Sequence, residues 1–222
     1  MKLAVVSASL GGFDKETEQV EQTLPCAYHL FTDENFPPRT NAMLPRLQAK
    51  IPKMFAWQLL PDHDYYLWLD GSIKLADPNA AQYFYDQIQG FDVAVLKHET
   101  HVNVKHEWRY TKNGIYQKNR YLYPRYKDEF VYELFNVIKD DPDFVDDSLY
   151  IGGLFIYRNT PAVHEMMKNW WYFVSRYLIQ DQVSWTYVLK KSGLKIKVLP
   201  TTLSQLYLDG YITKEKHHFK TR

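Results

Sequence analysis

The run Tyr65-Tyr66-Leu67-Trp68-Leu69 leaves the chain few choices, because five apolar or aromatic residues without polar alternation belong to a buried strand covered on both faces. The run stops at Asp70-Gly71-Ser72 before Ile73. A carboxylate where a buried strand breaks lies outside the carboxyl end of the sheet, where open α/β sheets hold ligands. It is placed there to grip a divalent cation and the phosphates it carries. Asp-Gly is also a standard turn dipeptide, so the same residues serve equally as a simple reversal.

Strand and helix signals alternate on either side of this run. Lys2–Ala8 reads as a short strand, followed by Ser9-Leu10-Gly11-Gly12 and a helix-like polar stretch over Asp14–Gln22. Ala27–Thr32 predicts a strand ending at Asp33, and after a loop with Pro37, Pro38 and Pro45 the segment Ala49–Leu60 has helical spacing. Pro78-Asn79 opens a helix through Gln89, Gly90 ends it, and Phe91–Leu96 is a strand terminating in Lys97-His98. Residues 98–147 are long, aromatic and irregularly charged, the pattern of an insertion or lid. Beyond them, Ser148–Arg158 reads as a strand interrupted by Gly152-Gly153, Pro161–Leu178 and Gln180–Lys191 as helices, and Lys195–Leu199 as a last strand. This alternation predicts an α/β fold with a mostly parallel central sheet flanked by helices, and a site assembled from strand ends.

With 222 residues, 45% of them hydrophobic, residues 1–222 can bury one sizeable core, so a single domain carrying the 98–147 insertion is expected. A net charge of +1 gives no reason to invoke nucleic acid or an anionic membrane as the main partner. Cys26 stands alone, which excludes an intrachain disulfide framework and thiolate zinc sites and fits a reducing, cytoplasmic setting. The opening Met1–Ser7 is too short in apolar residues for a signal peptide, and no window reaches the ~20 apolar residues of a membrane span. Aromatic residues make up 16% of the chain, with 18 Tyr and 6 Trp, and they suit sugar rings as well as core packing, which is their commoner use.

The strand ends supply the candidate residues. Ser7, Ala8, Ser9 and Leu10 would lay backbone against a nucleotide, and Asp33 would accept from a base or ribose hydroxyl unless it merely closes a turn. Gly11-Gly12 without a Gly-x-Gly-x-x-Gly pattern argues against a dinucleotide-binding dehydrogenase. Lys50 and Lys53, three apart on a helix, share a face that would reach a diphosphate or simply meet solvent. Asp181, between Gln180 and Gln182 at a helix start, would cap that helix, act as a base or orient a reacting hydroxyl. Of His217 and His218 in the basic tail, at most one would join a metal held by Asp70.

Trp68-Leu69-Asp70-Gly71-Ser72, Lys97-His98-Glu99 with Glu107 downstream, Gly152 through Asn159, Trp170-Trp171 and Asp181 through Trp185 follow one another in a particular order and spacing. The set resembles the glycosyltransferase-like domain family of plant mucilage-type proteins and bacterial polysaccharide clusters. The resemblance runs from about Ile51 to Lys191 and implies a compact GT-A (Rossmann-like) glycosyltransferase. It implies a nucleotide-sugar donor, with a UDP-sugar favoured, held by Leu69, Asp70, Gly71 and Ser72 together with the first-strand, Asp33 and lysine residues above. Asp70 would take the first place of an Asp-x-Asp-like motif. Ser72 stands in the second, so Mn²⁺ or Mg²⁺ would rest on Asp70, phosphate oxygens and His218. Asp181 would face the sugar or acceptor, Gly152 and Gly153 would leave room for substrate, and His98, Glu107 and Gln182 would line the acceptor side.

The reaction implied is hexosyl-type transfer to a hydroxyl of a glycan or glycolipid, with peripheral membrane contact where the acceptor is lipid-linked. Asp181 would deprotonate that hydroxyl in an inverting reaction or steady an oxocarbenium-like sugar in a retaining one. Two other classes share these features. A sugar nucleotidyltransferase would need a basic Gly-rich loop after the first strand, and Ser9–Asp14 holds no Lys or Arg. A non-catalytic carbohydrate-binding protein on a degenerate GT-A fold would keep the aromatics and drop the second acid.

Overall fold

The computed structural model describes residues 1–12, 19–37, 39 and 41–214. Strand β1 (Leu3–Ser9) is buried nearly throughout, and its alternate side chains face different layers. It pairs in parallel with β2 (Cys26–Thr32). Two helices follow, α1 (Pro45–Gln48) and α2 (Lys50–Leu59), then β3 (Tyr65–Leu69), which lies parallel to β1 on its other side. The next elements are β4 (Ile73–Leu75), α3 (Ala80–Ile88) and β5 (Val93–Lys97). Helices α4 (Val104–Tyr116), α5 (Tyr123–Tyr126) and α6 (Val131–Lys139) precede β6 (Tyr150–Arg158). The chain continues through α7 (Pro161–Arg176), α8 (Gln182–Lys191), β7 (Ile196–Val198), α9 (Leu203–Leu208) and β8 (Ile212–Lys214).

The main sheet has the order β2-β1-β3-β6-β5-β7, and β6 alone runs against its neighbours β3 and β5. A parallel strand requires a crossover that carries the chain back to the opposite edge. Lys97 at the end of β5 pairs with Tyr150 at the start of β6, so residues 98–149 leave and re-enter at the same rim and β6 must run backwards. The expected mostly parallel α/β sheet is present, and this reversal brings Gly152-Gly153 up to the rim beside Asp70.

On one face of the sheet Ala4, Val6, Tyr66 and Trp68 pack with Met54 of α2, Trp170 of α7 and Trp185 of α8. On the other, Leu3, Val5, Leu67 and Leu69 pack with Phe84 and Ile88 of α3 and with Leu206 of α9. Trp170 and Trp185, both fully buried, stack with centroids 4.1 Å apart, which makes them core residues rather than sugar platforms. The segment expected as an insertion or lid forms a packed helical layer: Val104, Leu122, Val131, Leu134 and Ile138 make a third cluster with Leu149, Leu178 and Val183.

Several boundaries differ from the sequence reading. Gln19–Gln22 carries no helix, and the rest of the expected 14–22 helix lies outside the described residues. β6 runs as one strand through Gly152-Gly153, but its pairing with β5 shifts register across these residues, from Val95 opposite Phe155 to Lys97 opposite Tyr150. The short ribbon of β4 with β8, the single-turn α1, and α9 had no periodic signal long enough to read. Among the described residues no helix is long and apolar enough to cross a membrane.

Candidate functional site

A cavity of about 790 Å³ opens at the carboxyl ends of β1 and β3. Of the residues singled out above, Ala8, Ser9, Leu10, Lys50, Asp70, Gly71, Ser72, His98, Glu107, Gly153, Asp181 and Gln182 line it. Ser7, Asp33, Lys53, Leu69 and Gly152 do not, and His218 lies outside the described residues.

The absences have physical reasons. Leu69 is core, 1% exposed, and Ser7 is buried with its hydroxyl unpartnered. Asp33, expected against a ribose or base, instead accepts the Gly11 N–H with both carboxylate oxygens, at 3.1 and 2.9 Å. That contact holds the loop after β1, where Gly11 takes a φ of +76° that disfavours a side chain. The space left by the two β6 glycines is filled by protein. A Cβ on Gly152 would stand 3.8 Å from Lys53 Nζ, and one on Gly153 would stand 3.0 Å from Asp70 Oδ2. Their role is close approach, and Asp70 N–H also donates to Gly153 O at 2.8 Å.

Lys53 departs furthest from expectation. Its side chain is fully buried, with Nζ 2.6 Å from Asp181 Oδ2 and 3.2 Å from Asp70 Oδ1. The rings of Trp68 and Trp170 lie 5.5 and 5.4 Å away, a setting that favours a desolvated cation. Lys53 therefore faces the core side of the site rather than a diphosphate. Lys50, one turn earlier, meets the same Asp181 oxygen at 2.8 Å from the cavity side. Asp181 sits at the N-cap of α8 but makes no cap bond. Burial pushes its carboxyl up, and the two ammonium groups more than offset this, bringing it down to about 2. A carboxylate held so low is a weak proton acceptor at neutral pH.

Asp70 accepts from Lys53 and from Trp68 Nε1, 2.8 Å away, with the same oxygen Oδ1. Oδ2 is its remaining ligand atom. Ser72, in the place of a second acid, is 6% exposed. The Lys53 ammonium takes up Oδ1, so Oδ2 is the atom Asp70 would offer a divalent cation, and His218, expected beside it, lies outside the described residues. Tyr207 also lines the cavity; its hydroxyl is buried without a partner, and burial and then the Asp70 charge push it up to about 12.

Across the same cavity His98, His101 and Glu107 bring ligand atoms within 4.8 Å of one another, a group able to hold a metal ion. His98 Nδ1 accepts the backbone N–H groups of Thr100 and His101 at 3.2 and 2.9 Å, and its ring stacks on that of His101. His101 Nδ1 meets Glu107 Oε2 in a short contact. Gln180 Nε2 donates to Glu107 Oε1 at 2.5 Å and Thr111 Oγ1 donates to Gln180 Oε1 at 2.6 Å, fixing the carboxylate. Sequence reasoning missed His101 and Tyr207. The His98-x-x-His101 spacing ahead of Glu107 was the available signal for the first, and none existed for the second.

A mostly parallel, Rossmann-like sheet with acids at its rim and a packed helical layer over the strand ends makes this an α/β domain with its cavity at the strand ends. The chain belongs to the TOD1/MUCI70 glycosyltransferase-like domain family, whose model matches residues 40–209. No curated protein matches the chain significantly. Similar solved structures include a glycosyltransferase involved in glycosylation of the major capsid of PBCV-1 (9% identity, 96% of this chain and 93% of that one, TM-score 0.47). Others are mouse xyloside xylosyltransferase 1 without ligand (12%, 86% and 73%, 0.41) and core-mannan synthase A from Aspergillus fumigatus in an Mn/GDP form (11%, 87% and 71%, 0.40).

Proposed function

We propose that this chain transfers a sugar from a nucleotide-diphosphate sugar to a hydroxyl of a glycan or glycolipid acceptor. The observation that carries the reading is the paired carboxylates Asp70 and Asp181, locked by a buried lysine at a strand-end cavity, in a chain of a glycosyltransferase-like family. The donor would lie along Ser9-Leu10 and Asp70–Ser72, with a UDP-sugar favoured, and the acceptor along His98 and Glu107. Lys50, at the cavity surface, would share its charge between Asp181 and the departing diphosphate.

Asp181, its carboxyl brought down to about 2 by the two ammonium groups, is ionised at neutral pH, which suits electrostatic support of an oxocarbenium-like sugar. Proton removal from the acceptor falls to His101, whose Nδ1 is held by Glu107 and whose Nε2 is left for transfer. The same atoms are the donor set of the His98, His101 and Glu107 group. Two imidazoles and a carboxylate suit Mn²⁺ better than Mg²⁺, and a cation there would supply charge against bound phosphate.

Calorimetric titration with UDP, GDP, CDP and dTDP, each with and without Mn²⁺, tests the reading. Micromolar binding of one nucleotide is expected. Binding that requires Mn²⁺ assigns the histidine group to a metal, and metal-indifferent binding leaves His101 as the base. No binding of any nucleotide to folded protein refutes the donor site and favours a non-catalytic carbohydrate-binding protein.

A further inference from the structure

The helical layer over the cavity carries a charge asymmetry that the net +1 of the chain conceals. Residues 105–127 hold seven Lys and Arg against a single acid, Glu107, which leaves the rest of the chain net acidic. Within α4, Lys105, Arg109, Lys112 and Tyr116 recur at spacings of four, three and four, so they share one face, turned from the buried Val104, Glu107, Thr111 and Gly114. Lys112 Nζ lies 4.8 Å over the Trp108 ring, which stacks at 4.0 Å on Phe135 of α6 and meets Tyr132 of the same helix edge-on. Tyr116, at the end of α4, is 87% exposed and Tyr132 is 59% exposed.

Like charges four apart on a helix, as Lys105 and Arg109 are, repel one another. The acids of this helix and its start are engaged elsewhere: Glu107 with His101 and Gln180, and Asp146 with the Val104 and Lys105 N–H groups at 2.7 and 3.0 Å. Among the described residues no carboxylate comes within ion-pair distance of Lys105, Arg109 or Lys112. The excess of seven cations over one acid in this segment does not depend on any single pairing. A row of cations flanked by exposed amphipathic rings matches a lipid–water interface, where the charges meet anionic headgroups and the rings lodge among them. An acidic glycan would answer the charge, but chains of sugar are held in clefts, and neither the row nor Tyr116 lines the cavity. The face is the outer side of a helix, which suits a broad flat partner.

We propose that the outer face of α4, with Tyr116 and Tyr132, docks this domain on an anionic lipid surface. Glu107 and Tyr110 of the same helix line the cavity, so docking through α4 brings the cavity beside the bilayer. That the bilayer delivers a lipid-linked acceptor rests on the proposed transfer; the docking does not, since vesicles alone read it.

The test is sedimentation of the full chain with vesicles of phosphatidylcholine alone and of an equimolar mixture with phosphatidylglycerol. Wild type should bind the mixed vesicles, leave the neutral ones in suspension, and detach as salt is raised. Each Lys or Arg near an anionic surface strengthens binding about fivefold, so Lys105→Gln/Arg109→Gln/Lys112→Gln should weaken it about a hundredfold, and Tyr116→Ser by a smaller factor. Lys2→Gln/Lys168→Gln/Lys195→Gln removes the same charge from exposed positions elsewhere and should bind within about twofold of wild type. Thermal unfolding shows that the variants fold; if the first triple variant does not, Arg109→Gln alone is read, with a loss of about fivefold expected. No binding to the mixed vesicles, equal binding to the neutral ones, or equal losses in the two triple variants overturns the docking. Binding of soluble hyaluronate through the same three residues in place of vesicles also overturns it and assigns the face to an acidic glycan. Nucleotide titration is independent of these outcomes: vesicle binding without nucleotide binding removes the transfer reading and leaves the docking standing, and nucleotide binding without vesicle binding does the reverse.

Discussion

Replacing Lys53 by methionine keeps the length of the side chain and removes the charge that ties Asp70 to Asp181. The ammonium is fully buried, 2.6 Å from one carboxylate and 3.2 Å from the other. Removing one partner of a buried ion pair leaves uncompensated charge and costs about 3 to 5 kcal/mol, a large share of the 5 to 15 kcal/mol that about this size of domain has in total. The pH dependence follows from Asp181, whose carboxyl moves from 3.8 to about 2 on folding. Because the folded group titrates below the unfolded one, its contribution is complete above about pH 4 and is lost as pH falls towards 2. That contribution is about 2 kcal/mol, and the loss of one of its two ammonium partners shrinks it. Urea unfolding followed by tryptophan fluorescence at pH 7 and pH 3 should show Lys53→Met much weaker at neutral pH, with the gap to wild type narrowing in acid. The double variant Lys53→Met/Asp181→Asn should lose less than the sum of the singles. A loss below about 1 kcal/mol at pH 7, or a gap that does not change with pH, would refute the buried bridge as the keystone of the site. Lys127→Met, which breaks the exposed contact to Asp128, is the control and should change nothing measurable.

Three further outcomes are expected. Gly153→Ala sets a methyl 3.0 Å from Asp70 Oδ2, so the carboxylate must shift; nucleotide affinity in titration should fall, with about 1 to 3 kcal/mol of stability. Asp181→Asn should abolish sugar transfer in a product assay while nucleotide still binds, and an active variant would remove Asp181 from the mechanism. Thr160→Ala deletes the side-chain cap on Val163 N–H at the start of α7 and should cost about 1 kcal/mol in unfolding without touching nucleotide affinity.

The family resemblance and the alternation of elements were legible because their signals are local. The β3 run, the Pro161 opening of α7 behind Thr160 and the glycine-marked ends lie within a few residues of the conformations they set. Asp70 was legible too, as an acid where a buried strand stops. The use made of the acids was not. Helical spacing put Lys50 and Lys53 on one face, but only the packing of α2 against β1, β3 and α7 turned Lys53 into the core and left Lys50 at the cavity. Lys50 and Asp181 are 131 residues apart, and no periodicity reaches that far. The reversal of β6 was equally hidden, because a strand's direction depends on whether its connection crosses the sheet or stays at one rim, and residues 98–149 stay at the rim. The sequence alone therefore determined the longer strands and helices and which acid ends a strand. Tertiary packing decided which charges meet, because burial and long-range contact are properties of the assembled layers.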